Sequence, residues 1–203
     1  MNTFLPFSDF NESAKVLDDA RLRKQAVEAW SILETNLGVS GAWSHHPAVL
    51  MWQGSERRLC DYGLAMVEEC GKRQFSIRLW DKFNEVREFL VFNCCNSQAP
   101  FWLGDERLHR SHRSRLLFKG RLDAVCYSIR RFLKLTSIND WLSERGYPLK
   151  NVLKHCHILE LERFAQLNNI PVEPNHYHQY KWQLYENDEE PYFWPVKFGR
   201  VQL

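Results

Sequence analysis

LDDARLRKQAVEAWSILETNL, residues 17–37, separates an apolar face from a charged one at helical spacing. At about 100° per residue, Leu22, Ala26, Ala29, Leu33 and Leu37 fall on one side, while Arg21, Lys24, Gln25 and Glu28 gather on the other. Asp18 and Asp19 stand where acidic residues favour a helix N-terminus, and Gly38 with Gly41 ends the pattern. The apolar side predicts an anchor in a core and the charged side predicts display. Ordinary surface helices also carry charge, so the sharper feature is Glu28, a lone glutamate embedded among cations.

Upstream, Asp9 followed by Glu12 has the spacing of a capping box before a short helical turn. Downstream, Pro47 suits the first position of a second helix, PAVLMWQGSERRLCDYGLAMVEEC, running to Gly71 with Leu59, Tyr62, Met66 and Cys70 as its apolar stripe. Gly54 and Gly63 within it mark either close helix packing or a break, and the sequence leaves both open. A third helical pattern covers residues 77–92, followed by a turn-rich connection at 93–100.

FWLGDERLHRSHRSRLLFKGR, residues 101–121, is the most basic part of the chain: Arg107, Arg110, Arg113, Arg115, Lys119 and Arg121 face only Asp105 and Glu106. With Asp105 as N-cap, His109, His112, Arg113 and Leu116 share one side of a helix, which predicts imidazoles and a guanidinium projecting together on a phosphate-contacting surface. Residues 122–169 are helix-friendly, with a stop at Gly146 and a restart near Pro148, and read as two or three further scaffold helices. Tyr177, Tyr180, Trp182, Tyr185, Tyr192, Phe193 and Trp194 then interleave with polar groups; such rings stack on bases, brace a pocket or pack over a small core. The acidic run at 186–190 is expected to point away from nucleic acid. The fold class that follows is all-α: a compact multi-helix single domain over residues 1–203 with an irregular aromatic C-terminal tail.

At 203 residues with 44% apolar content the chain is long enough for one good core, and a net charge of +2 does not by itself announce a polyanion partner. No apolar run approaches the roughly 18 residues of a membrane span, and no signal peptide precedes the first helix, so a cytoplasmic protein without membrane association is expected. Cys60, Cys70, Cys94, Cys95, Cys126 and Cys156 contain no C-x-x-C pair, which argues for reduced thiols. His155, Cys156 and His157 are adjacent, not spaced at i, i+3 or i+4, and imply no metal site. No cofactor is implied.

A basic helix, a cation-flanked glutamate and a collection of aromatics fit an enzyme that works on a nucleotide within DNA. Arginine and lysine position phosphates, an aromatic replaces a base removed from the stack, and a carboxylate works at the sugar of the extruded nucleotide. Cleaving an N-glycosidic bond develops positive charge on the sugar, which a carboxylate stabilises while it orients or deprotonates the nucleophile.

LDDARLRKQAVEA and HPAVLMWQGSERRLCDYGLAMVEECGKRQF resemble the pyrimidine-dimer DNA glycosylases of the phage endonuclease V type, compact all-helical enzymes. A broader group of relatives shares MNTF at the start, WLGDERLH followed by SHRSRLL, and a terminal aromatic-WP element here formed by Tyr192, Phe193, Trp194 and Pro195. The resemblance covers about two-thirds of the chain and places Glu28 at the family's catalytic glutamate; residues 122–172 have no counterpart and resemble a helical insertion. It implies a catalytic N-terminus at Met1 and Asn2, although the family's best-known enzyme attacks with the α-amine of a threonine exposed by loss of methionine. Here the start is Met1-Asn2-Thr3, a sequence on which the methionine is usually retained, so the amine belongs to Met1. The family's arginines beside the glutamate are replaced by Val27 and Ser31, with Arg21 and Lys24 as substitutes on the same face.

The implied product is an abasic site and the implied partner double-stranded DNA. Gln25, His46 and His112 are the candidates for hydrogen bonds to base or sugar, Arg113, Ser114 and Lys119 for phosphates, and Trp194 for a further DNA contact. The substrate is expected to be a bulky pyrimidine, either an ultraviolet dimer or a hypermodified base of the glucosylated hydroxymethylcytosine type, in repair or anti-phage defence. The alternative is a noncatalytic nucleic-acid-binding module in which Glu28 is a salt-bridged surface residue.

Overall fold

The computed structural model describes residues 2–41, 43–93, 98–148, 153–180, 191–197 and 200–201. Eight α-helices follow in order: α1 (Phe10–Val16), α2 (Asp19–Asn36), α3 (Pro47–Leu50), α4 (Glu56–Lys72), α5 (Trp80–Phe92), α6 (Glu106–Phe132), α7 (Ile138–Glu144) and α8 (His155–Leu167). A 3-10 turn at His176–Gln179 and a two-residue antiparallel pair, β1 (Val196–Lys197) with β2 (Arg200–Val201), complete them. The class is all-α, as the periodicities predict. The chain divides into two compact units, Met1–His112 with Tyr192–Leu203, and Arg113–Pro191.

In the first unit α2 is set by its own ends. Asp18 is extended at the N-cap, and its carboxylate accepts the Arg21 N–H at 2.9 Å. Leu22, Ala26, Ala29, Ile32 and Leu33 are fully buried, and the helix packs on α4, whose Leu59, Tyr62 and Met66 are buried too. Leu37, expected on the apolar side, is instead the exposed C-cap residue. Arg73, just past α4, binds the α1–α2 turn: its guanidinium donates to the Leu17 and Lys15 carbonyls at 2.7 and 2.8 Å and pairs with Glu69 at 2.8 Å.

The expected second helix is two helices. His46 caps α3 by accepting the Ala48 N–H at 3.1 Å, and after one turn the chain leaves helical geometry, with Gly54 at φ +74° before α4 starts. Gly63 answers the other alternative. A Cβ there would lie 2.3 Å from the Phe83 ring of α5, so it is a close-packing glycine.

The second unit has its own core: Phe118, Leu122, Val125, Cys126 and Ile129 of α6 with Trp141 and Leu142 of α7 and Ile158, Leu161 and Ala165 of α8. Arg121 grips Glu162 with two hydrogen bonds of 2.6 Å, joining α6 to α8. After α7, Gly146 takes φ +75°, which is the predicted stop. The restart expected near Pro148 falls on residues 149–152, outside the described residues; α8 begins at His155, where His157 turns back to accept the Lys154 N–H at 3.1 Å. Tyr177 follows the packing alternative: it is fully buried against Gly120, where a Cβ would meet its ring at 2.6 Å.

Among the described residues Cys60, Cys70, Cys126 and Cys156 are free thiols, no group of residues is placed to hold a metal ion, and no helix is long and apolar enough to cross a membrane. Trp182, Tyr185, the acidic run at 186–190, Cys94 and Cys95 lie outside the described residues.

Candidate active site

Residues 2–5 form no ladder with another strand, yet the N–H groups of Asn2, Phe4 and Leu5 are paired. Asn2 N–H donates to Glu28 Oε2 at 2.9 Å and Phe4 N–H to Gln25 Oε1 at 2.7 Å, both side chains of α2. On the opposite edge Leu5 N–H donates to His112 Nδ1 at 2.8 Å, and the Leu5 carbonyl lies 2.8 Å from His109 Nδ1. Even-numbered amides face α2 and residue 5 faces α6, which is the period of an extended strand. Helix side chains thus take the place of neighbouring strands. Buried backbone groups need such partners, each worth on the order of 1 kcal/mol net.

Hydrogen-bond donors fix the orientation of each side chain in this arrangement. Gln25 Oε1 receives both the Phe4 N–H and the Tyr62 hydroxyl, the latter at 2.7 Å, so its NH2 group turns to Glu28 Oε2 at 3.3 Å. The Tyr62 hydroxyl oxygen is also 3.0 Å from the Phe4 carbonyl. Burial first, then the charge of Glu28, pushes the Tyr62 pKa well up, so the group stays a protonated donor. Trp52 Nε1–H donates to Thr3 Oγ1 at 3.0 Å. His109 Nε2 accepts the Gly104 N–H at 3.1 Å and therefore carries its proton on Nδ1 for Leu5. His112 has the reverse tautomer, because its Nδ1 is the acceptor.

Glu28 sits where these contacts converge. Its side chain is 14% exposed, with Oε2 holding Asn2 and Gln25 and Oε1 3.4 Å from the Lys24 ammonium, which is itself 69% exposed. A wall of rings stands in the same unit: Trp43 edge-on to His46 at 5.8 Å, His46 to Trp194 at 6.0 Å, Trp194 against Tyr192 at 5.5 Å, and Tyr192 to His112 at 5.5 Å. The C-terminal end of this wall is fastened to α6 by the Phe193 N–H, which donates to Ser111 Oγ at 3.0 Å, and by the Arg107 guanidinium 4.6 Å over the Phe193 ring. Burial lowers the His46 pKa while the Glu28 charge opposes that shift. Burial and then the neighbouring His109 bring His112 down to about 3. The side-chain amide of Asn2 and His112 Nε2 are buried with no hydrogen-bond partner among the described residues.

The structure therefore brings Asn2, Lys24, Gln25 and Glu28 into direct contact, and links His46, His112 and Trp194 through one chain of rings. Other expected site residues fall elsewhere. Arg21 closes on its own cap residue Asp18. Arg113, Ser114 and Lys119 belong to the second unit, where Arg113 and Ser114 are buried and Lys119 half-buried; their expected display, and that of His109 and His112, is corrected by burial. The expected display of Gln25 is corrected too, since it is 1% exposed and bonded to the N-terminal segment. Met1 lies outside the described residues. Tyr62 and His109 were missed as site builders: one passes for a stripe residue and the other for a displayed imidazole, and only their distant partner shows their role.

The helical unit thus lays its own N-terminal segment against a mostly buried carboxylate, beside the Lys24 ammonium and in the same unit as a wall of rings. The family model of the pyrimidine dimer DNA glycosylase matches residues 1–82. The family's activity is that of a DNA glycosylase and its substrate class is DNA. The matched stretch contains α1 to α4 and, with them, Asn2, Lys24, Gln25, Glu28 and His46. No curated protein and no solved structure gives a match.

Proposed function

We propose that the protein extrudes a bulky pyrimidine from duplex DNA and excises it at the N-glycosidic bond, with Glu28 as the catalytic carboxylate and an abasic site as product. The observation that carries this reading is the grip of Glu28 Oε2 on the Asn2 backbone N–H at 2.9 Å, which ties the start of the chain to the carboxylate. Positive charge developing on the sugar is stabilised by the carboxylate, which also accepts a proton from the attacking nucleophile. That nucleophile is water, or the α-amine of Met1 in a variant of the reaction that passes through an imine and then cuts the strand. Gln25 orients the carboxylate, Lys24 holds a phosphate beside it, and His46 and Trp194 border the extruded nucleotide, with the buried His112 bracing Trp194 from behind. The pyrimidine is a cyclobutane dimer in a repair role or a glucosylated hydroxymethylcytosine in a defence role.

The test incubates the protein with duplexes carrying a cyclobutane dimer, a glucosylated hydroxymethylcytosine or no modification, and compares strand breakage with and without hot alkali. Breakage after alkali alone identifies a monofunctional glycosylase. Breakage without it, together with borohydride trapping of the protein on DNA, identifies attack by the amine. Glu28→Gln is expected to lower base release by at least about 100-fold while sparing DNA binding. Full base release by that variant refutes the role of Glu28, and DNA binding with no release on any duplex favours a binding module.

A further inference from the structure

The end of α6 carries a feature unconnected with Glu28. Tyr127, Arg130 and Arg131 lie at i, i+3 and i+4 on one face of the helix, and with Lys134 and Leu135 just past its end they line a cleft of about 440 Å³. Tyr127 is 55% exposed, a large ring left in solvent beside three cations, and no acidic side chain lines the cleft. A carboxylate does stand nearby, since Glu173 reaches Arg131 at 3.4 Å, but both side chains of that pair are more than two-thirds exposed, where ion pairs are weak. Arg130 donates to the Leu135 carbonyl at 3.3 Å.

Cations at the last turn of a helix also suit its dipole, so charge alone decides nothing. The exposed Tyr127 ring in the same lining is the second, independent observation, and the backbone fixes where the third cation stands. Leu135 N–H donates to the Arg130 carbonyl at 3.0 Å and Lys134 N–H to the Arg131 carbonyl at 3.3 Å, the pattern of a Schellman ending. Its left-handed position is held by Lys134 at φ +54°, where glycine is the relaxed choice. The same left-handed ending closes α4 at Gln74 and α8 at Asn169; what distinguishes this one is that its residue is a third cation in a lining that already holds two guanidiniums and a ring.

We infer that this cleft is a second nucleic-acid contact, carried by the unit of residues 113–191, in which Arg130, Arg131 and Lys134 hold successive backbone phosphates and Tyr127 stacks on an unpaired base. Cations track the backbone, whereas a ring accepts any base presented without a stacking partner. The expected ligand is therefore single-stranded or locally opened nucleic acid. The inference takes DNA as partner from the proposed function, but it does not depend on base excision.

Lys134→Gly separates the inference from a purely structural role, because glycine relieves the backbone strain while removing the charge. Equilibrium binding of the full chain to an undamaged single-stranded oligonucleotide and to an undamaged duplex is measured against salt, beside thermal melting. Lys134→Gly is expected to raise Tm, to weaken both complexes and to lower the salt slope by about 0.7 for the single strand and about 0.9 for the duplex. Tyr127→Ala is expected to weaken the single strand about tenfold and the duplex much less. A Lys134→Gly protein with higher Tm and unchanged affinity and slope overturns the inference, as does equal weakening of both ligands by Tyr127→Ala. Base release assayed separately on lesion duplexes reports on Glu28 and distinguishes failure of this inference from failure of the glycosylase reading.

Discussion

His112 shows at the scale of one residue how the N-terminal segment depends on protonation. Its Nδ1 must be unprotonated to accept the Leu5 N–H, and burial enforces this by bringing its pKa to about 3. In the unfolded chain the same ring titrates near 6.5. Between those values the unfolded state binds the extra proton, so this contribution to stability is full above about pH 6.5 and is lost as pH falls towards 3. His112→Asn keeps an acceptor oxygen near the Nδ1 position without a titrating group. Thermal melting from pH 7 to pH 4 is therefore expected to show a shallower fall of Tm for His112→Asn than for the unaltered protein; identical slopes would show that other groups govern acid sensitivity. Cys60 sits at the opposite extreme. Burial, then the charge of Asp61, pushes its thiol up to about 12, which leaves it an inert core group.

Among the elements, α4 and α5 are joined through the bare backbone at Gly63, over which the Phe83 ring lies with no exposed surface. Gly63→Ala gains helix propensity of up to about 1 kcal/mol, but its methyl group would fall 2.3 Å from Cζ of that ring. The ring cannot retreat cheaply from a packed interior, and overpacking of this kind costs about 1–3 kcal/mol. Chemical denaturation should accordingly show a net loss of stability of about 1–2 kcal/mol; a gain would mean that α5 moves away freely. Nothing in the sequence around Gly63 separates this case from Gly54, because the difference lies in Phe83, twenty residues on and in another helix. By contrast α2 was legible to its caps, since Asp18 and Gly38 act on neighbours three or four residues away. The helix periodicity also placed His109 and His112 on one face correctly. It assigned that face to solvent, because its partner is Leu5, 104 and 107 residues distant in the chain.

Over the whole molecule, the basic character of residues 101–121 was visible in composition, but counting cations does not say which are buried. Arg107 is 73% exposed and Arg113 only 7%, within one helix that begins in the first unit and ends in the second. The second unit, Arg113–Pro191, has a core of its own, in which Ile129, Ile158 and Leu161 are buried among residues of α6, α7 and α8. The first unit has a different set, centred on Leu22, Leu33, Leu59, Trp52 and Trp102. Two cores with few shared residues predict two cooperative openings. Ile158→Ala tests this, since the side chain is fully buried and its truncation is expected to cost about 2–4 kcal/mol. Hydrogen exchange read by peptide mass should speed up by 10-fold or more across α7 and α8, on the order of that loss, while peptides of α2 and α4 keep their wild-type rates. Equal acceleration in both sets would instead show one cooperative body. Base release by Ile158→Ala below its melting temperature then gives the functional half of the same argument: retained activity places the chemistry in the unit that holds Glu28, independent of the integrity of the other core.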